Sequence, residues 1–154
     1  MKLHSDFKVL GRNIQILMDS KNLSNIELAN SIKYDRDSLS KLVTGHQNIR
    51  LNTLLKICAF FDVSVESVFD RNFENNISIQ QKHYIKDDYV NLYFKNLNKI
   101  KQVNRIPLSQ KEIDPAQITK IKNKFIKNPT INTLFYIASD YSTDLKTLFH
   151  NKEE

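Results

Sequence analysis

Residues Leu23 to Gly45 read LSNIELANSIKYDRDSLSKLVTG, and the fold turns on them. Leu23, Ile26, Leu28, Ala29 and Ile32 recur at helical spacing, Lys33, Tyr34 and Asp35 interrupt, and Leu39 and Leu42 resume the stripe. The pattern predicts two short amphipathic helices joined by a tight polar turn, a helix-turn-helix. Ser24 with Glu27 three residues on is a capping-box pattern for the first helix, and Asp35 can accept from the freed amides that open the second. Gly45 tolerates the left-handed conformation that ends a helix.

Working outward, Phe7, Leu10, Ile14, Leu17 and Met18 form one stripe and predict a helix over Asp6 to Asp19 on which the pair of helices packs. Gly11 within it costs about 1 kcal/mol relative to Ala in a helix interior. After Gly45 the loop HQNIR carries donors without an apolar pattern. A fourth helix is predicted from Asn52 to Phe61 and a fifth from Val65 to Phe69. Leu54, Leu55, Ile57, Cys58, Phe61, Val65, Val68 and Phe69 would close the core of a bundle of about 65 residues, near the small end of what folds alone.

The ungapped run from Leu23 to Phe69 resembles the Cro/C1-type (XRE) helix-turn-helix family of transcriptional regulators. The resemblance is carried by Leu23, Glu27, Leu28, Ala29, Ile32, Arg36, Ser40, Gly45, Asn48, Leu51, Thr53, Leu54, Leu55, Lys56, Ile57, Val63, Ser64 and Phe69. It departs from the usual pattern at Asn25, where the family often has Gln, and at Ile49, where it often has Pro. Met18 and Val43 stand where many members carry a buried Arg and Glu, an exchange that is often neutral or stabilising. The resemblance implies a lambda-repressor-like bundle in which helices two and three read double-stranded DNA.

Composition agrees with that expectation without deciding it. No apolar run approaches the length of a membrane span, the amino terminus MKLHSDFKV lacks a signal-like apolar core, and the single Cys58 cannot form an internal disulfide. A cytoplasmic protein is expected, with Cys58 as a buried inert thiol. The formal charge is +6. Residues 1–70 hold nine Lys and Arg against eight Asp and Glu, and residues 71–154 hold fourteen against nine. The basic surplus therefore sits in the second half.

That half repeats the first. INTLFYIASDYSTDLKTLF, Ile131 to Phe149, lies on LNTLLKICAFFDVSVESVF, Leu51 to Phe69, at a constant offset of eighty. Upstream, DPAQITKI lies on DRDSLSKL at an offset of 79, and Leu97 and Ile100 lie on Ile14 and Leu17 at 83. The second copy gains about one residue after its reader and loses about one turn from its helix two, which Pro107 also interrupts. Asp114 and Pro115 open its recognition-like helix well. The expected architecture is all-α: a helix-turn-helix domain over 1–70, a polar connector over 71–87, and a degenerate second domain over 88–154. Within the connector, the alternation Asn-Ile-Ser-Ile-Gln could form one short strand.

Leu39 and Leu42 must face inward, which leaves Arg36, Asp37, Ser40 and Lys41 on the outer face of the recognition helix as candidates for base edges. The alternative for these positions is a solvated face, with Asp37 a first-turn partner of the helix dipole. Phosphate candidates are Ser24 and Asn25 at the start of helix two and His46, Gln47, Asn48 and Arg50 after the reader. In the second copy, Gln117, Lys120, Lys122, Lys124 and Lys127 form the densest basic patch, either a second DNA site or a solvated face on a copy kept for dimerisation or for a partner protein. Tyr89, Tyr93, Phe94, Phe125 and Phe135 are expected in the core or an interface. His4, His46, His83 and His150 are scattered, no Cys/His spacing suggests zinc, and two glycines cannot build a phosphate loop.

The expected function is sequence-specific DNA binding by a homodimeric regulator, a repressor as the resemblance implies, with no cofactor and no enzymatic role. The alternative is an antitoxin-like or adaptor protein that uses one or both bundles to bind another protein.

Overall fold

A computed structural model describes residues 1–76, 82–103 and 112–151, and the regular elements among those residues are helices, with one isolated antiparallel bridge and no strand. The first half contains α1 (Phe7–Ser20), α2 (Asn25–Ile32), α3 (Arg36–Val43) and α4 (Leu51–Phe61), then a 3-10 turn over Glu66–Phe69 and the short α5 (Phe73–Asn76). The second half contains α6 (Tyr89–Val103), α7 (Pro115–Lys122), α8 (Ile131–Asp140) and α9 (Leu145–Leu148). The expected fifth helix is thus a single tight turn, compatible with its four-residue length.

Local signals act where the sequence places them. Ser24 Oγ accepts from Glu27 N at 3.2 Å while Glu27 Oε1 accepts from Ser24 N at 3.2 Å, which completes the capping box. α2 ends at Lys33 in the left-handed region, φ 56°, and Tyr34 N donates back to Ala29 O. Asp35 then caps α3 by accepting from Ser38 N at 2.9 Å. That bond, with the Ser38 hydroxyl and the charges of Arg36 and Lys41, holds the Asp35 carboxyl below its usual range. Gly45, at φ +82°, ends the unit.

α1 packs against α3, and Gly11 is the point of closest approach: a Cβ there would collide with the backbone oxygens of Leu42 and Val43. Phe7, Leu10, Ile14, Leu17 and Met18 are all buried, as are Leu39 and Leu42 beneath α3. Met18 therefore fills its position as a core side chain, with Val43 half-buried at the end of α3. Cys58 is buried too, and burial pushes its thiol well above the ordinary range. Ile26 is the exception to the stripe, half of it reaching solvent.

The segment expected as a connector is partly built into the fold. Phe73 is buried, Ser64 N donates to Lys82 O at 3.0 Å, and His83 Nδ1 and Tyr84 N both reach the Asp62 carboxylate. The possible strand and the Pro107 region lie outside the described residues.

The offsets found in sequence reappear as repeated hydrogen bonds. Asn13 Nδ2 donates to Val68 O and Asp70 O at 2.9 and 2.8 Å, and Asn96 Nδ2 donates to Leu148 O and His150 O at 2.9 and 3.0 Å. α4 closes with Val63 N on Cys58 O, and α8 with Thr143 N on Ala138 O. Asp62 and Ser142, eighty residues apart, both adopt positive φ at these closures. Phe135, Tyr93, Tyr89 and Phe149 are buried in a core shared by the two halves. Phe125, expected in the core or an interface, is not in the core: it is 81% exposed just beyond α7.

Candidate nucleic-acid interface

The outer face of α3 is assembled by the burial beneath it. With Leu39 and Leu42 facing the core, Arg36, Asp37 and Lys41 are exposed and Ser40 is half-buried. Arg36 Nε lies 3.7 Å from Asp37 Oδ1, with both side chains largely in solvent, so the pair is weak and the guanidinium can exchange it for another acceptor. Asn25 Nδ2 donates to Ser40 Oγ at 2.9 Å. This bond ties the first turn of α2 to the middle of α3 and fixes the angle between the two helices. Ser24, exposed, keeps its hydroxyl proton available while its oxygen caps α2.

Tyr34, in the turn between α2 and α3, belongs to this surface and was marked in the sequence only as an interruption. It packs half-buried against the core, and desolvation raises its pKa despite an opposing bond from the Ser38 side chain. An aromatic ring in an otherwise polar turn was the available signal for it.

The loop after α3 divides into two parts. His46 Nδ1 lies 3.1 Å from Thr44 Oγ1 and Gln47 Nε2 donates to Asn48 O at 3.2 Å, so both stay within their own loop. Asn48 and Arg50 turn to the second half of the chain. Asn48 Oδ1 accepts from Asn132 N at 3.1 Å, and Arg50 Nη1 donates to Asn128 O at 2.9 Å. The structure therefore brings Ser24, Asn25, Arg36, Asp37, Ser40 and Lys41 together on α2 and α3, and gives Asn48 and Arg50 contacts between the halves.

On α7 Lys120 and Lys122 are exposed and Gln117 is half-buried, and Lys127 is exposed in the turn that follows. Lys124 is engaged: its Nζ lies 2.7 Å from both carboxylate oxygens of Asp88, which lowers the Asp88 pKa. Ala116, Thr119, Lys120, Phe125 and Ile126 line an open hollow beside the helix. Among the described residues there is no group of three or more His, Cys, Asp or Glu side chains able to hold a metal ion, and no helix long and apolar enough to cross a membrane.

Residues 13–74 match the Cro/C1-type HTH DNA-binding domain family, from the middle of α1 to α5. That stretch of the chain is a Cro/C1-type helix-turn-helix DNA-binding domain. No curated protein and no solved structure matches the chain.

Proposed function

We propose that the protein is a sequence-specific regulator of transcription that inserts α3 into the major groove of double-stranded DNA and represses by occupying its site. The observation that carries this is the α3 face itself: Arg36, Asp37 and Lys41 project outward over buried Leu39 and Leu42, and the Asn25–Ser40 bond locks the helix to its support. Arg36 is in the first turn of the reader, where a guanidinium can grip guanine O6 and N7 bidentately. Lys41, Ser24, Asn25, His46 and Gln47 supply contacts to the phosphate backbone, which position the duplex. Repression requires nothing beyond occupancy, so no cofactor enters this reading.

Selection from random duplexes followed by Arg36→Ala tests it. The variant should lose about 1–3 kcal/mol on the selected site and much less on random duplex. Equal losses on both would make Arg36 a phosphate contact. A folded wild-type chain that enriches no duplex would remove the proposal and favour the protein-binding alternative.

A further inference from the structure

One helix-turn-helix reads only a few base pairs, so a specific site needs a second reader about one helical turn, roughly 34 Å, along the duplex. The homodimer expected from the sequence would supply it from another subunit. The contacts between the two halves point elsewhere.

Those contacts are reciprocal at the offset of eighty. Leu51 N donates to Pro129 O at 2.8 Å and Ile131 N to Ile49 O at 2.7 Å, on either side of an antiparallel bridge between Arg50 and Thr130. Asn52 N donates to Asn128 Oδ1 at 2.9 Å and Asn132 N to Asn48 Oδ1 at 3.1 Å. His150 Nδ1 lies 2.8 Å from Glu66 Oε2, and Lys146 Nζ lies 3.6 Å from Asp70 Oδ2. Phe69 stacks on Phe149, ring centroids 5.9 Å apart. In each set, exchanging the halves maps one contact onto the other, or a pair onto itself. This is the signature of a two-fold, isologous interface, in which residue i meets j and j meets i.

We infer, resting on the regulator reading above, that residues 88–151 take the place of a partner subunit, so that one chain carries two readers, α3 and α7, and binds an asymmetric DNA site as a monomer. The surface through which a second copy would pair is already covered by the chain's own Asn128–His150 stretch. The local dyad through Arg50–Thr130 and Phe69–Phe149 relates α3 to α7 as an operator dyad relates half-sites. Each reader ends seven or eight residues before the bridge, at Val43 and Lys122. An extended chain covers at most roughly 3.3–3.6 Å per residue, so each helix end lies within about 29 Å of the dyad, and half-site spacing is within reach.

The half-sites must differ, because the reading faces differ. At the offset of 79, Pro115 stands for Arg36, Ala116 for Asp37, Thr119 for Ser40 and Lys120 for Lys41. α7 has no guanidinium in its first turn. It offers the methyl groups of Ala116 and Thr119, which suit a thymine C5-methyl, and the ammonium of Lys120.

The experiment is light scattering of the full chain, free and bound to the duplex selected above, with Arg36→Ala and Lys120→Glu compared on duplexes scrambled in one half-site at a time. The inference expects a monomer, one chain per duplex, protection of two successive major grooves, and a motif with unlike halves. Lys120→Glu, helical by circular dichroism, should bind at least about ten-fold more weakly, with discrimination lost only in the half-site that Arg36→Ala leaves intact. Two chains on an inverted repeat, a free homodimer, or an unchanged affinity of Lys120→Glu would overturn it while leaving α3 as a reader. A folded chain that selects no duplex would instead remove the regulator reading, and this inference with it.

Discussion

Leu39 and Leu42 lie buried beneath α3, as Ile118 and Ile121 do beneath α7, and the carboxylates of Asp35 and Asp114 cap the two helices. Both helices end alike: Gly45 N on Leu42 O and His46 N on Lys41 O in one, Lys124 N on Ile121 O and Phe125 N on Lys120 O in the other. Their outer faces share only Lys41 with Lys120 and the hydroxyls of Ser40 and Thr119. Positions that hold each helix to its core therefore carry the same chemistry, while positions that face outward do not. Packed interiors penalise a change of one methylene, whereas exposed positions absorb substitutions with little loss of stability. What a helix is attached to and what it presents can thus vary independently, and each can be tested separately.

The largest effect should come from charging the two supports. Leu39→Lys places an ammonium where exposure is 0%, and an uncompensated buried charge costs about 3–5 kcal/mol, a large part of what holds a small domain together. The first half should lose its cooperative thermal transition by circular dichroism. Ile118→Lys should cost less, because Ile118 is already 8% exposed and a lysine stem can carry its charge to nearby water. Equal losses would mean that α7 is packed as deeply as α3.

The asparagines come next. Asn13→Ala removes the buried amide that donates to the buried Val68 carbonyl and to the part-buried Asp70 carbonyl, worth about 1–3 kcal/mol in chemical denaturation. Asn96 is half-buried and one of its acceptors, His150 O, is exposed, so water can replace the lost amide and Asn96→Ala should be the milder change. The reverse order would shift the weight of the fold to the second half.

Gly11→Ala should lower the melting temperature even though alanine is the better helix former. The gain of about 1 kcal/mol in propensity opposes an overpacking cost of about 1–3 kcal/mol, and the obstructing atoms are backbone oxygens that cannot rotate away. At the corresponding place in the second half stands buried Phe94, so α6 packs there around a ring where α1 approaches backbone. A higher melting temperature for Gly11→Ala would refute the close crossing of α1 and α3.

The parts of this fold that were legible in the sequence are those governed by near neighbours. The Ser24–Glu27 capping box, the Asp35 cap, the turn at Gly45 and the stripe of α1 depend on residues within four positions, and the offset of eighty needs only self-comparison. Asn48 and Arg50 read as loop donors after a recognition helix, and nothing local to HQNIR distinguishes a phosphate from the carbonyls and amides 78 to 84 residues away that they meet. For Phe125 the sequence left core and interface open, and an aromatic after a helix cannot be assigned between them until the direction of the chain beyond it is known; in the fold it stands outside the core. On the candidate site, periodicity placed Arg36, Asp37 and Lys41 outward, but the Asn25–Ser40 bond joins two helices and no stripe could reveal it.

The smallest effect separates the two helix ends. Lys124 adopts φ +66° at the position where Gly45 has φ +82° in the first half, and a side chain in the left-handed region costs roughly 1–2 kcal/mol that glycine avoids. Lys124 offsets part of this through Asp88, whose carboxyl its ammonium holds below the usual carboxylate range. A carboxyl depressed in the folded state stabilises above its unfolded pKa, about 3.9 for Asp, and that contribution is lost as pH falls through the lower folded value. The two side chains are 41% and 44% exposed, so solvent screening keeps the pair below about 1 kcal/mol at neutral pH. Lys124→Ala removes the pair and keeps the strain; Lys124→Gly removes both. By NMR titration the Asp88 pKa should rise in both variants, and at pH 7 the glycine variant should be the more stable of the two, close to the parent chain. If the alanine variant proved as stable as the glycine variant, the left-handed turn after α7 would carry no strain that glycine relieves.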